Sequence, residues 1–189
     1  MESTIERTIE RTGTLWTIGH STRPWEGFVA MLQDAGITTL ADVRRFAGSR
    51  RNPQFSGDTM AQALPALDIA YVAMPDLGGR RPVHKDSHNT LWRNASFRGY
   101  ADYMESAEYA QASARLAAIA LRDRTAVMCA EAMWWQCHRS LISDDFKSRG
   151  WTVLHLMAPG RTEEHPWSGA ARIVDGRLSY AEPSTGDLF

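Results

Sequence analysis

The chain has 189 residues, which is enough for one hydrophobic core of ordinary domain size and short for two full domains. With 43% hydrophobic residues, 23% charged residues and a formal net charge of -1, it is neither a disordered chain nor a generally basic nucleic-acid coat protein. No apolar run approaches the roughly 18 residues that span a bilayer, and the first residues are polar rather than signal-like. We therefore expect a cytoplasmic protein that does not bind a membrane.

The first half of the chain predicts strands that alternate with helices. Residues 14–18 form a short β-prone run, and apolar residues then recur at helical spacing over residues 25–32. Residues 37–43 and 69–74 are the second and third strand candidates. Between them lie an Arg-rich loop and a predicted helix around residues 58–64.

The second half continues this alternation. Residues 97–121 predict a helix, and residues 125–129 a strand that is apolar throughout, as in a strand covered on both faces. A helix over residues 136–149 and a fifth strand over residues 151–156 follow. An Asp-Gly pair between alternating apolar residues predicts a hairpin within residues 172–180.

Strands that alternate with helices predict an α/β fold built of right-handed crossovers. We expect a single domain with a mostly parallel open sheet flanked by helices and a small C-terminal hairpin. Residues 1–13 are predicted to be a flexible N-terminal arm, residues 14–157 the α/β domain, and residues 158–189 a C-terminal tail that carries the hairpin.

Charge is unevenly distributed along the chain. Between residues 43 and 98 there are eight Arg and one Lys against four Asp, a local excess of five positive charges. Part of the surface is therefore predicted to attract anions, although a solvated charged face gives the same pattern.

Polar residues, or in one case a pair of glycines, follow four of the predicted strands at the point where each strand ends. In an open parallel sheet, ligands bind beyond the carboxyl ends of the strands, so these residues are expected to share one site. They are His20 and Ser21 after the first strand, Asp42 and Arg44 after the second, Gly78 and Gly79 after the third, and Cys129 and Glu131 after the fourth.

The densest local cluster runs from Cys129 to Arg139. A thiol ends a strand, and Cys137-His138-Arg139 then opens a helix, whose free N–H groups bind anions and lower thiol pKa values. Ten positions separate Cys129 from Arg139 without a glycine-rich cradle between them, which argues against a cysteine phosphatase. The two cysteines are expected to be thiols rather than a disulfide in a cytosolic chain of this size.

Other interpretations of these residues stay open. Cys129 is either a nucleophile or a small buried core residue. The cysteines, a histidine and the acids Glu131 and Asp42 could also bind a metal, but the Cys-x7-Cys-His spacing is not a standard zinc pattern. A metal is therefore not favoured, and the cofactor is left unknown.

Five ordered motifs resemble the domain of unknown function numbered 488, over roughly residues 15–156. The resemblance implies an α/β fold and makes the motif positions the signature of the family, but it implies no established reaction. Arg45-Phe46 stands where the family's usual Pro would follow Arg44. The motifs are Thr17-Ile-Gly-His-Ser21, Asp42-Val-Arg44 with Ser49-Arg-Arg51, Tyr71 to Pro75 with Leu77-Gly-Gly79, Tyr100-Ala-Asp-Tyr-Met104, and Cys129-Ala-Glu131 with Cys137-His-Arg139.

The leading hypothesis is an enzyme that acts on a phosphate-bearing substrate, either a nucleotide or a nucleic acid. The proposed acid/base residues are His20, Asp42 or Glu131, and Cys129 is the candidate nucleophile. Charge pairing with phosphate would come from arginines, and the other motif residues complete the anion-binding set. That set is Ser21, Arg44, Arg50, Arg51, Gly78, Gly79, Cys137, His138 and Arg139.

Two further hypotheses belong to other classes. The first is a non-catalytic nucleic-acid or protein-binding module associated with DNA processing, and the second is a metal-binding protein. The terminal residues Asp187, Leu188 and Phe189 are similar to the short peptide by which bacterial DNA-processing proteins contact the sliding clamp, although Thr185 stands in place of the expected Gln.

Overall fold

The computed structural model describes residues 11–182, and its centre is a six-stranded sheet. The strand order is β3-β2-β4-β1-β5-β6, in which the first five strands are parallel and β6 is antiparallel to β5. A separate antiparallel pair, β7 and β8, forms the C-terminal hairpin. The strands are β1 (Thr14–Gly19), β2 (Thr39–Asp42), β3 (Ala70–Ala73), β4 (Thr125–Cys129), β5 (Thr152–Ala158), β6 (Arg161–Glu164), β7 (Arg172–Val174) and β8 (Arg177–Ser179).

Helices cover both faces of this sheet, so the predicted single α/β domain is confirmed. The buried residues form two apolar clusters, one on each face. One cluster packs α1 and α2 against Ile18, Leu40 and Met128, and the other packs α3, α4 and α5 against Leu15 and Val127. The helices are α1 (Trp25–Asp34), α2 (Gly57–Ala63), α3 (Ala95–Met104), α4 (Ala107–Arg122) and α5 (Arg139–Ser148).

Two features of the fold differ from the sequence prediction. The single helix predicted over residues 97–121 is two helices, because the Ser106 side chain accepts a hydrogen bond from Tyr109 N and caps a new helix there. Strand β6 is not predicted, because its sequence Arg-Thr-Glu-Glu has no apolar alternation. Such charged strands are common at sheet edges, where they discourage pairing with another chain.

The C-terminal segment contributes to the core as well as to the edge of the sheet. Ala170, Ala171 and Tyr180 are buried in the cluster beneath α5. In the hairpin, Asp175 and Gly176 both have positive φ, as the predicted two-residue Asp-Gly turn requires.

No helix within residues 11–182 has both the length and the apolar character needed to cross a bilayer. The predicted clamp-binding residues Asp187, Leu188 and Phe189 lie outside the described residues, as does most of the predicted N-terminal arm.

Candidate functional site

The carboxyl ends of β2, β4 and β1 lie side by side in the centre of the sheet. Parallel pairing places Asp42 beside Met128, and Cys129 beside Gly19. The polar residues that follow these strands in sequence are therefore brought to one edge. Beyond this edge lies a cavity of about 1070 Å³.

Seven of the predicted site residues line this cavity and six do not. Those that line it are Arg44, Arg50, Gly79, Cys129, Glu131, Cys137 and His138. His20, Ser21, Asp42, Arg51, Gly78 and Arg139 are not among the lining residues.

Cys129 and Cys137, here called the thiol pair, lie at the base of the cavity. Their Sγ atoms are 3.0 Å apart, and both cysteines are free and buried. Cys129 ends β4, whereas Cys137 lies two residues before the first residue of α5. The chain between the two cysteines therefore forms a loop that folds back and brings their sulfurs together.

The buried side chain of Arg139 contacts the Cys137 sulfur. Its side chain is 1% exposed, and its Nε donates a hydrogen bond to Cys137 Sγ at 3.2 Å. Its other acceptors within the described chain are Thr17 Oγ1 and the carbonyls of Glu131 and Ala132, so none is a carboxylate. A buried cation needs a counter-charge, and the Cys137 thiolate is the group placed to supply it.

The two sulfurs have opposite protonation tendencies. Burial acts to raise the pKa of Cys137, but the hydrogen bond from Cys129 and the charge of Arg139 outweigh it and hold this pKa well below the usual range. The same sulfur–sulfur hydrogen bond, together with burial, raises the pKa of Cys129. These opposite pKa directions favour the negative charge on Cys137 and the proton on Cys129.

A buried chain of hydrogen bonds leads away from Arg139 through the interior. Arg139 Nη1 donates to Thr17 Oγ1, which contacts His155 Nδ1 at 2.7 Å. His155 Nε2 contacts His165 Nδ1 at 2.9 Å, and His165 Nε2 contacts Asp144 Oδ1 at 3.0 Å. With both imidazoles neutral, each group in this chain donates a hydrogen bond to the next, from the Arg139 guanidinium to the Asp144 carboxylate. Burial and His165 lower the pKa of His155 to about 2, which agrees with a neutral ring.

A second polar network lies on the opposite face of the sheet, against α1 and α2. Arg44 forms a two-pronged ion pair with Asp42, with Nε–Oδ1 at 2.8 Å and Nη2–Oδ2 at 2.5 Å. Tyr71 donates a further hydrogen bond to Asp42 Oδ2 at 2.6 Å. His20 stacks on Phe55 at 4.5 Å between ring centroids and contacts Arg44 Nη1 through Nε2 at 3.1 Å.

These contacts occupy the polar atoms of His20 and Asp42. Because Arg44 can only donate, His20 Nε2 accepts, and Nδ1 carries the proton that it donates to the Ser21 carbonyl. Burial, with the charge of Arg44, lowers the pKa of His20, in line with a neutral ring. The geometry therefore gives His20 and Asp42 a positioning role toward Arg44, and the catalytic roles predicted for them remain predictions.

Glycines make the close contacts around the cavity possible. A Cβ at Gly19 would lie 1.7 Å from the Glu131 carbonyl oxygen, so only glycine lets β1 approach the loop after β4. A Cβ at Gly79 would lie 2.9 Å from His138 Nδ1. The His138 ring is thus held between Gly79 and the Val43 carbonyl, which its Nε2 contacts at 3.1 Å.

One group within residues 11–182 could hold a metal ion. Ligand atoms of Cys129, Cys137 and His138 all lie within 4.8 Å of one another, and two sulfurs with one imidazole suit zinc. Arg139 already places a positive charge against Cys137, however, which weakens the attraction of that sulfur for a cation.

Sequence reasoning missed two sets of functional candidates. Arg45, Phe46 and Arg80 also line the cavity, and they stand directly beside predicted motif residues, which is a signal that could have found them. In the buried chain Thr17 belongs to the first motif, but His155, His165 and Asp144 left no such signal. Strand register pairs Thr17 with His155, and the other two residues reach them only through tertiary packing.

Fold and site together define an α/β protein with a thiol pair at the base of a cavity beyond the carboxyl edge of its sheet. The model of the family described as "Domain of unknown function DUF488" matches residues 24–145, more than half of the chain, and the protein belongs to this family. The predicted resemblance is thereby confirmed. Comparison with curated proteins and with solved structures gives no match.

Proposed function

We propose that this protein is an enzyme that acts on a phosphate-bearing substrate, a nucleotide or a nucleic acid, in the cavity beyond the sheet. One observation carries the proposal: exposed arginines and the thiol pair line the same cavity. Its volume of about 1070 Å³ is at the upper end of small-molecule sites, which leaves room for a nucleotide or the end of a strand.

The rim of the cavity is cationic. Arg45, Arg50 and Arg80 are exposed on it, and Glu131 is the carboxylate among the lining residues. Guanidinium groups pair with phosphate oxygens through two parallel hydrogen bonds, so the rim is suited to the phosphates of a substrate. Arg44 also lines the cavity, but its charge is paired with that of Asp42.

The base of the cavity supports nucleophilic chemistry. The sequence suggested Cys129 as the nucleophile, but the sulfur that faces Arg139 is that of Cys137, and a thiolate is the reactive form of cysteine. In the proposed reaction Cys137 Sγ forms a bond to the electrophilic atom of the substrate, and the leaving group departs with its bonding electrons. Glu131, which lines the same cavity, is placed to exchange a proton with the leaving group or with water.

Ligand binding to the full chain tests the cationic rim. Nucleotides and short oligonucleotides are titrated by thermal shift and fluorescence at low and high salt, and binding is expected to weaken as salt rises. In the double variant R50A and R80A, we expect affinity to fall about tenfold or more for each arginine that contacts a phosphate. The matched control is Arg115→Ala, an exposed arginine on α4 that is not among the cavity-lining residues. Equal loss in the control, or no binding by the wild type at low salt, would refute the proposal.

A non-catalytic nucleic-acid-binding module is the second candidate, favoured by Phe46. This ring is 69% exposed, lines the cavity, and lies 5.9 Å from the Arg45 guanidinium, an arrangement typical of base-stacking platforms. Cys137→Ser separates the two candidates. An enzyme loses turnover while it keeps binding, whereas a binding module shows no turnover before or after the change.

A further inference from the structure

The thiol pair has the geometry of a redox couple. The two Sγ atoms are 3.0 Å apart, and a disulfide bond is about 2.05 Å long, so an approach of about 1 Å closes the bond. Both cysteines line the cavity. Cys137 is 8% exposed and Cys129 is 3% exposed, so Cys137 is the more exposed residue of the pair.

The surroundings of the pair are asymmetric. Arg139 Nε donates to Cys137 Sγ, and the other acceptors of this guanidinium are neutral oxygens. Cys129 in turn donates its S–H to Cys137. The Cys137 sulfur is thus paired with a buried cation and is in contact with the Cys129 thiol. This is the arrangement of an attacking cysteine and its resolving cysteine.

We propose that the thiol pair reduces small hydroperoxides, with Cys137 as the attacking sulfur and Cys129 as the resolving sulfur. The proposal goes beyond the phosphate-bearing substrate and does not depend on it. Cavity access limits the oxidant to a molecule that can reach the base, such as hydrogen peroxide or a small alkyl hydroperoxide.

The reaction balances in two steps. The Cys137 thiolate attacks the terminal oxygen of the hydroperoxide, an S–O bond forms, the O–O bond breaks, and the alkoxide takes a proton from water to leave as an alcohol. The Cys129 sulfur then attacks the Cys137 sulfenic acid, an S–S bond forms, and the hydroxyl group leaves with the Cys129 proton as water. Two electrons pass from the sulfurs to the peroxide. A dithiol reductant restores both thiols.

The experiment uses the full reduced chain and hydrogen peroxide at pH 7. Intact mass spectrometry is expected to show the loss of two hydrogens, peptide mapping to show a Cys129–Cys137 link, and dithiothreitol to reverse both changes. An ordinary thiol is only a few per cent thiolate at pH 7, so we expect faster oxidation than that of free cysteine, by at most about 30-fold because a lower pKa also weakens the nucleophile. Metal content of the purified protein is measured in parallel.

Variants assign the two roles. Cys129→Ser is expected to stop at a sulfenic acid on Cys137, which dimedone traps, whereas Cys137→Ser is expected to leave Cys129 unmodified at the same peroxide dose. Peptide mapping of the wild type tests the proposal independently of the variants. Circular dichroism reports whether each variant is folded.

Three results would overturn the proposal: no intramolecular link, dimedone labelling of Cys129 instead of Cys137, or stoichiometric zinc on Cys129, Cys137 and His138 that protects the sulfurs from peroxide. The R50A and R80A variant keeps peroxide reduction if the proposal is right, so failure of phosphate binding and failure of thiol chemistry are separate outcomes.

Discussion

Replacing Arg139 with methionine tests whether the buried guanidinium keeps Cys137 ionised. Methionine is neutral and fills much of the same space, so the change removes the charge and the hydrogen bond from Nε to Cys137 Sγ. Without this partner, burial dominates, and the pKa of Cys137 is expected to rise into or above the ordinary thiol range near 8.5.

The expected magnitude follows from the thiolate fraction. At pH 7 a thiol with a pKa near 8.5 is about 3% ionised, so alkylation of Cys137 should slow by up to about 30-fold relative to a full thiolate, the limit set by the greater nucleophilicity of a more basic thiolate. Loss of one partner of a buried ion pair costs about 3–5 kcal/mol, and the lower end applies because the thiolate can take up a proton. A domain with about 5–15 kcal/mol of stability still folds after such a loss.

The assay is the rate of iodoacetamide alkylation of Cys137 in the folded protein between pH 5 and 10, followed by peptide mass spectrometry. Arg149→Met is the matched control, because Arg149 follows the last residue of the same helix and pairs with Asp145 rather than with a sulfur. An unchanged pH midpoint in the Arg139 variant, or an equal shift in the control, would show that the guanidinium does not set the ionisation of Cys137.

Two further predictions concern the buried chain that leads away from the site. Asp144 is 0% exposed and accepts hydrogen bonds from four donors, so Asp144→Ala should cost about 4 kcal/mol or more in urea unfolding, whereas exposed Asp86→Ala should stay within about 0.5 kcal/mol. A small loss at Asp144 would mean that these donors find other partners. Burial and a neighbouring imidazole hold the pKa of His155 at about 2 in the folded protein. Below pH 6.5 this histidine therefore binds a proton in the unfolded chain but not in the folded chain. Its contribution to unfolding free energy therefore falls by about 1.4 kcal/mol per pH unit, or about 2 kcal/mol between pH 6.5 and 5. His155→Gln should remove this part of the acid sensitivity and exposed His84→Gln should keep it, and equal slopes in both variants would contradict the assignment.

The sequence predicted the parallel part of the fold because local signals agreed with the tertiary structure. Strand β4 is apolar after Thr125, and it is buried over its whole length between two layers of helices. The apolar spacing over residues 25–32 matches the buried side of α1. Strand β6 gave no such signal, because its position depends on pairing with β5 rather than on its own composition.

The candidate site was predicted less completely, and the reason is strand order. The rule that ligands bind at carboxyl ends of parallel strands was enough to gather Asp42, Cys129 and Glu131 at one edge. It could not say that Asp42 and His20 lie outside the cavity lining while their partner Arg44 lies in it, because the face on which each side chain lies depends on register. Nor could it show that Arg139 is buried under the sulfurs rather than exposed to an anion.

The sequence by itself determined the α/β class, the family and the segment that carries the cysteines, because periodicity and motif order are local properties of the chain. Only the tertiary structure decided which sulfur the buried charge of Arg139 favours as the thiolate. The sequence placed Cys129 at a strand end and Cys137 at a helix start, and it made Cys129 the candidate nucleophile. The structure adds a buried guanidinium, placed against Cys137 by the start of α5 and connected through Thr17 and two histidines to Asp144. Charge pairing in a buried environment depends on distances of a few ångströms, and those distances are set by packing across the whole sheet.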